Sequence, residues 1–414
     1  LKAVIIIIAD EVLMGNVVDM NSSFLSSELF KIGIKVKRIV VISDEKEDIV
    51  RTLKESLEKA DIVILAGGLG PTHDDVTKKT ISNFLKKRLI LNEKVLEDVK
   101  YHFTKKGMLM PQVNTSQALV PQGAVIFDNP LGTAPGLLFE EEFGTIVLLP
   151  GVPEELREMF YTGIRPYLEK KEIERIMISQ TIHTTGISES EIYERLKDIE
   201  KGKTIAFLPN YTGVDIRVTV ESDSKESAED RMKKLTSSII EKVDDYFYGS
   251  DEESLERVIG ILLSMRRKTL AVAESCTAGL CMKRITDVPG SSVYFLGGVV
   301  SYSNEVKKKL LKVKANDLKE YGAVSNEIAH AMAEGVRNLM KSDYGISITG
   351  IAGPGGATED KPLGLVFIGI SDYKITYSKR YQFVGTRDTI RTQAVQVALD
   401  ILRRRLLGIP DEKG

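Results

Sequence analysis

The stretch Ile62-Val-Ile-Leu-Ala66-Gly67-Gly68-Leu-Gly70-Pro-Thr72-His-Asp74-Asp75 decides how the front of this chain folds. Its apolar, β-branched opening has the length and composition of a strand buried on both faces. Glycines then turn the backbone sharply, and a helical pattern follows. Outward from it, Val4–Ala9, Val36–Ile42 and Thr145–Leu149 read as further strands of the same type, with amphipathic stretches such as Ser22–Lys31 and Lys46–Lys59 between them. Strand–helix alternation predicts right-handed crossovers and a largely parallel sheet covered on both faces. The first 170 residues are therefore expected to form a doubly wound α/β domain.

Ligands of open α/β sheets bind at the carboxyl ends of the strands. Three loops of this chain fall there: Asp10-Glu11 leading to Gly15, the glycine loop at 67–70, and Pro150-Gly151-Val-Pro-Glu154. Backbone N–H groups of Gly67, Gly68 and Gly70 ahead of a helix suit an anion, most simply a phosphate. Asp74 and Asp75 would repel it unless a divalent cation intervened, and carboxylates are what Mg²⁺ prefers. The alternative is that both aspartates only favour the N-terminus of the next helix. Glu11 and Glu154 at the same edge tilt the reading toward metal-assisted diphosphate hydrolysis.

Residues 171–250 have a different texture. Strand patterns at Ile176–Thr184 and Val214–Val220 are joined by helical ones at Ser188–Ile199 and Ala228–Val243, the first opened by a capping box of Ser188 and Glu191. This is a small α+β, KH-like module. Its loop Glu200-Lys-Gly-Lys203 lacks the Gly-x-x-Gly clamp used on RNA backbones, so a linker or dimerisation role is expected. From 251 to 414 a second alternating unit follows. Its strands are Leu270–Ala273, Tyr294–Ser301, Tyr344–Thr349, Gly364–Ile370 and Ile375–Tyr381, and its helices include Leu255–Met265, Glu327–Leu339 and Thr389–Arg405.

This last unit carries Ala273-Glu-Ser275-Cys-Thr-Ala278-Gly, then Tyr302-Ser-Asn-Glu-Val-Lys307, then Thr349-Gly350-Ile-Ala-Gly353-Pro-Gly355-Gly. Ser275 follows a strand and precedes a helix expected to begin near Thr277, which suits either an N-cap or a nucleophile. Lys307 lies just past a glycine-containing strand, where partial desolvation lowers a lysine toward a usable base. A serine–lysine pair activates a hydroxyl without histidine; none of the four histidines lies in this constellation. The glycine turn exposes N–H groups able to hold an oxyanion. It is no Walker loop, because no Gly-Lys-Ser/Thr follows. Arg387 offers a guanidinium clamp for an anion.

These segments, with Asp287-Val-Pro-Gly-Ser-Ser292, Gly322-Ala-Val-Ser325 and Lys361-Pro-Leu-Gly364, resemble the C-terminal domain of the CinA family, the nicotinamide-nucleotide amidases. The resemblance implies hydrolysis of nicotinamide mononucleotide to nicotinic acid mononucleotide and ammonia, without a cofactor. It makes Ser275 the nucleophile and Lys307 the base, with Tyr302, Thr349 and Ser292 as supporting polar groups and Arg387 on the substrate. Ala278 stands where glycine is usual. The front loops, with Asn129-Pro-Leu-Gly-Thr-Ala-Pro-Gly136, resemble the molybdopterin-binding-like domain of full-length CinA proteins. That implies cleavage of ADP-ribose to AMP and ribose 5-phosphate with Mg, Mn or Co held by Asp74, Asp75 and Glu11. Thr72, Asn129, Gly151 and Glu154 join the glycines as substrate contacts. Ala9 and Ala66 depart from the usual glycine and threonine, and the latter change removes a hydroxyl from the phosphate loop. A front domain that binds a pterin or nucleotide without cleaving it is the rival reading.

Composition bounds the rest. Among 414 residues, 57 basic and 59 acidic side chains leave a net charge of −2, against the clustered positive charge that nucleic-acid binding requires. The only cysteines, Cys276 and Cys281, make neither a disulfide scaffold nor a zinc site. The apolar start at Leu1–Ala9 is too short for a signal peptide, and no run reaches the ~20 apolar residues of a membrane span. The expectation is a cytoplasmic protein acting on small nucleotides, without a membrane or nucleic-acid partner, and a homodimer.

Overall fold

A computed structural model of the chain describes residues 1–72, 75–171, 176–199 and 205–410. Asp74 and the Glu200–Lys203 loop therefore lie outside the described residues. By contact density the chain divides into two compact units, residues 1–179 with 220–231, and residues 180–219 with 232–414.

The front unit contains strands β1 (Lys2–Ile8), β2 (Lys35–Ile42), β3 (Ile62–Ala66), β4 (Leu89–Leu91), β5 (Leu119–Pro121), β6 (Val125–Phe127), β7 (Gly136–Glu141) and β8 (Gly144–Leu149). Six of them form one sheet in the order β2-β1-β3-β8-β7-β6. Its left side is parallel through β8, and β7 and β6 add an antiparallel edge. Alternation along β1 explains the two-sided cover. Ala3, Ile5 and Ile7 enter one apolar cluster with Leu25 and Leu29, while Val4, Ile6 and Ile8 enter another with Ile49 and Leu53. Helices Asn21–Lys31 and Lys46–Leu57 supply those partners from opposite faces. The doubly wound expectation is realised, with β3 central and its glycine loop at the carboxyl edge.

The middle module is a four-stranded sheet, order β10-β11-β9-β12, from β9 (Ile176–Thr184), β10 (Ile205–Asn210), β11 (Gly213–Ser222) and β12 (Phe247–Ser250). Ser188 caps helix Glu189–Leu196 by accepting from Glu191 N at 3.2 Å. The reciprocal half of the expected capping box is replaced, because the Glu191 carboxylate pairs with Arg195 at 2.7 Å.

In the rear unit, β13 (Leu270–Glu274), β14 (Phe295–Val300), β15 (Tyr344–Gly350), β16 (Leu365–Ser371) and β17 (Thr376–Gln382) form a sheet ordered β14-β13-β15-β16-β17. β13 lies next to the edge strand β14 and is parallel to both of its neighbours; β16 runs antiparallel to β15, and β17 antiparallel to β16. Leu270 and Val272 pack toward helices Leu255–Arg266 and Arg387–Leu407, while Ala271 and Ala273 pack toward helix Asn326–Met340. Small residues at 271 and 273 let that last helix approach closely. The carboxyl end of β13, where Ser275 begins, opens at the sheet edge. Among the described residues no helix is long and apolar enough to cross a membrane.

Candidate functional site

β13 ends on Glu274, and Ser275 is held by its N–H to Ile348 O of the neighbouring β15 at 2.9 Å. From the other side, β14 ends at Val300 and the chain enters the short helix Asn304–Lys309, capped by Ser303. That helix turns Lys307 inward. Its Nζ stands 3.1 Å from Ser275 Oγ and donates to Ser301 O at 2.6 Å. Lys307 is 1% exposed, whereas Lys309 is exposed and Lys308 pairs with Glu305 outside. Burial therefore separates the three consecutive lysines that their spacing alone did not. Desolvation holds the Lys307 ammonium below its ordinary value. Its amine is therefore easier to deprotonate than that of an exposed lysine.

The helix expected near Thr277 begins at Leu280. Its N-cap is Gly279, without a side-chain cap, so Ser275 is not an N-cap and its hydroxyl is not spent on one. The intervening turn uses left-handed backbone at Ala278 (φ +49°) and Gly279 (φ +97°). Ala278 thus occupies a position where glycine carries no Cβ penalty. The cap comes instead from Glu274, fully buried, whose carboxylate accepts from Gly279 N and Met282 N at 2.9 Å and Cys281 N at 3.2 Å. Sequence reasoning passed over Glu274, although a lone carboxylate ending an apolar strand was the available signal. It also missed Ser301, and Arg391, whose guanidinium donates to Thr277 O at 2.7 Å. Burial drives the Cys276 thiol up to about 12 and holds that of Cys281 well above its ordinary range, so neither offers a thiolate.

Tyr302, 64% exposed, stands on the rim of the turn, where its hydroxyl accepts from Arg387 at 3.4 Å. Arg387 also donates to Gly353 O, so the guanidinium links the strand end near Lys307 to the glycine turn. Within that turn Gly353 is left-handed (φ +85°), and Gly355 faces open space. Gly350 ends β15 against Leu365 O and Val366, too tightly for any side chain. Two of the expected supporting residues take other places within this chain. The Thr349 hydroxyl is fully buried and donates to Ala323 O at 2.7 Å, which makes it a strut for the loop before helix Asn326–Met340. Ser292 sits just ahead of β14, whose Phe295 pairs with Leu270 at the start of β13, whereas Ser275 follows its end. With about 3.3 Å per residue the two serines are a strand length apart, roughly 15 Å, at opposite sheet edges.

In the front unit a cleft of about 520 Å³ lies at the carboxyl edge, lined by Gly67, Gly68, Gly70, Gly151, Glu11 and Asp75 among others. The glycines are demanded by proximity: a Cβ on Gly67 would meet Ile8 O at 2.2 Å, and one on Gly68 would meet Thr77 Oγ1 at 2.1 Å. Asn21, which sequence reasoning did not select, donates to Gly151 O at 2.7 Å and ties that loop down. Thr72, itself exposed, is tied to Asp75: its N–H and hydroxyl donate to Asp75 Oδ2 at 3.0 and 2.5 Å. The carboxylate facing the cleft from the Pro153–Met159 helix is Glu155, not Glu154, which points to solvent. Asn129 stands behind the cleft, donating to Glu155 at 2.8 Å and to Ala134 O at 2.9 Å. Among the described residues no three His, Cys, Asp or Glu side chains gather as a metal shell. Glu11 and Asp75 both line the cleft, and the Asp75 carboxylate already accepts from Thr72.

Three family descriptions match this chain: the probable molybdopterin binding domain over residues 4–170, the damage-inducible protein CinA KH domain over 179–249 and the CinA C-terminal domain over 252–406. Similar proteins include a putative competence-damage inducible protein of Halothermothrix orenii, 41% identical over 409 residues and 98% of each chain. A CinA-like protein of Kosmotoga olearia is 39% identical over 412 residues, 99% of this chain and 100% of its own. Among solved structures, the protein CinA of Thermoplasma acidophilum aligns with 40% of this chain and 96% of its own, at 32% identity and a TM-score of 0.37. With identity at this level sustained end to end, the chain belongs to the CinA family.

Proposed function

We propose that the rear unit is an amidase acting on nicotinamide mononucleotide and that the front unit cleaves ADP-ribose. The observation that carries the first half is the 3.1 Å approach of a buried Lys307 amine to Ser275 Oγ. Neutral Lys307 takes the Ser275 proton as Oγ attacks the carboxamide carbon. Backbone N–H groups of the 353–356 turn hold the oxyanion, and preorganised donors of this kind contribute roughly 10²–10³-fold each. The Lys307 ammonium then protonates the departing nitrogen, releasing ammonia and leaving an ester on Ser275. Water, deprotonated by the same amine, hydrolyses that ester to the carboxylate and restores the serine. Arg387 and Tyr302 on the rim contact the nucleotide. The test is ammonia release from nicotinamide mononucleotide by the wild type and by Ser275→Ala.

For the front unit, the glycine loop supplies N–H groups for a diphosphate, and Glu11 and Asp75 would hold a divalent ion whose chemistry is charge neutralisation on it. The rival reading, binding without cleavage, draws on Ala66 and on the Thr72 bonds that already occupy Asp75. Metal titration with ADP-ribose separates them: AMP appears in the first case, and intact ligand persists in the second.

A further inference from the structure

We propose that Glu274 is the positioning residue of the Ser275–Lys307 pair, an inference that rests on the amidase reading. Its carboxylate is fully buried and bonded to three backbone N–H groups, those of Gly279, Cys281 and Met282. Those donors belong to the far limb of the turn that begins at Ser275. The turn runs through left-handed backbone at Ala278 and Gly279, and buried N–H groups of this kind require acceptors. Glu274 is their acceptor, so it fixes how the turn leaves the strand and where Ser275 Oγ points.

The same residue governs the base through its main chain. Glu274 O accepts from Ser301 N at 2.7 Å and from Ser301 Oγ at 3.3 Å. Ser301 O in turn accepts from Lys307 Nζ at 2.6 Å. One strand-end residue is therefore joined to the nucleophile through its side chain and to the base through its carbonyl. It acts from beneath the site, and a small displacement there is costly: about 1 Å of misplacement is worth on the order of 10²-fold in rate.

The experiment uses the full chain and a fluorophosphonate probe, which reports serine activation independently of the natural substrate. Glu274→Gln keeps the shape but turns an amide N–H toward backbone donors, whereas Glu274→Asp keeps the charge with a shorter reach. Wild type is expected to label at Ser275. Glu274→Gln is expected to label at least roughly tenfold more slowly at unchanged near-ultraviolet circular dichroism, with the inflection of rate against pH displaced from the wild-type position. Glu274→Asp should recover part of the rate. Labelling of folded Glu274→Gln at the wild-type rate and pH profile overturns the proposal. So does failure of both variants to fold, which would make the carboxylate a requirement of the fold alone, and so does a wild type that does not label. A wild type that labels but releases no ammonia from nicotinamide mononucleotide defeats the substrate reading and leaves the Glu274 result intact.

Discussion

Lys307 Nζ lies 3.1 Å from Ser275 Oγ, inside a wall that leaves the lysine 1% exposed. The two residues stand 32 positions apart in sequence, and two neighbouring strand ends create their contact. The parallel pairing of β13 with β14 brings their carboxyl ends side by side, and a helix capped by Ser303 turns the lysine back over the serine.

Removing the hydroxyl removes the proposed nucleophile. Ser275→Ala is expected to lower kcat for carboxamide hydrolysis by roughly 10⁴-fold or more, as loss of a nucleophile does elsewhere, with little change in melting temperature. Steady-state ammonia release and a thermal melt check both halves.

The base reading fixes a pH dependence. Neutral Lys307 is the active form, so kcat/KM should rise as pH rises through its pKa and be lost as pH falls below it. Because burial lowers that pKa from 10.5, the inflection should fall below that figure. The same shift makes the unfolded chain bind more protons in the window between the two values, so stability should also increase with pH there. The Cys276 thiol, pushed up to about 12, stays protonated through the profile. A pH–rate series with wild type and Lys307→Gln tests this: the variant should lose the inflection along with most of its activity.

Most of the architecture was legible because apolar runs and helical periodicity repeat through both α/β units, and the spacing of Ser275, Lys307 and the glycine turn was visible without coordinates. What spacing did not reveal is direction. Ser292 and Ser275 flank the same pair of strands, and only the register of Leu270 with Phe295 shows that they lie at opposite edges. Glu154 and Glu155 are neighbours in sequence, and the helix phase after Pro153 decides which one meets the cleft. Glu274 was hidden for another reason. Its role depends on left-handed backbone four and five residues later, which Ala278 does not advertise.

The placement of Ser292 has a direct consequence. Ser292→Ala should leave kcat/KM for nicotinamide mononucleotide within about twofold, because surface changes away from a site usually cost under ~0.5 kcal/mol. A tenfold loss measured under the same conditions would contradict its position at the far sheet edge.

Relief of the turn should be measurable as stability. Ala278→Gly removes a Cβ at φ +49° and is expected to stabilise the protein by about 1 kcal/mol. Urea denaturation followed by circular dichroism provides the value, and destabilisation would contradict the turn described here.

In the front cleft the two adjacent carboxylates should behave differently. Glu155→Ala removes the acceptor of Asn129 and a wall of the cleft, and should weaken ADP-ribose binding about tenfold, or ~1.4 kcal/mol. Glu154→Ala, facing solvent, should leave it within about twofold. Isothermal titration of both variants, with a divalent ion present, compares them.

The most direct single measurement is ammonia release from nicotinamide mononucleotide by the metal-free protein, with wild type, Ser275→Ala and Lys307→Gln assayed side by side. Steady release by the wild type and near-background rates in both variants are the predicted result. Wild-type rates in both variants would contradict the pairing of that hydroxyl with that amine.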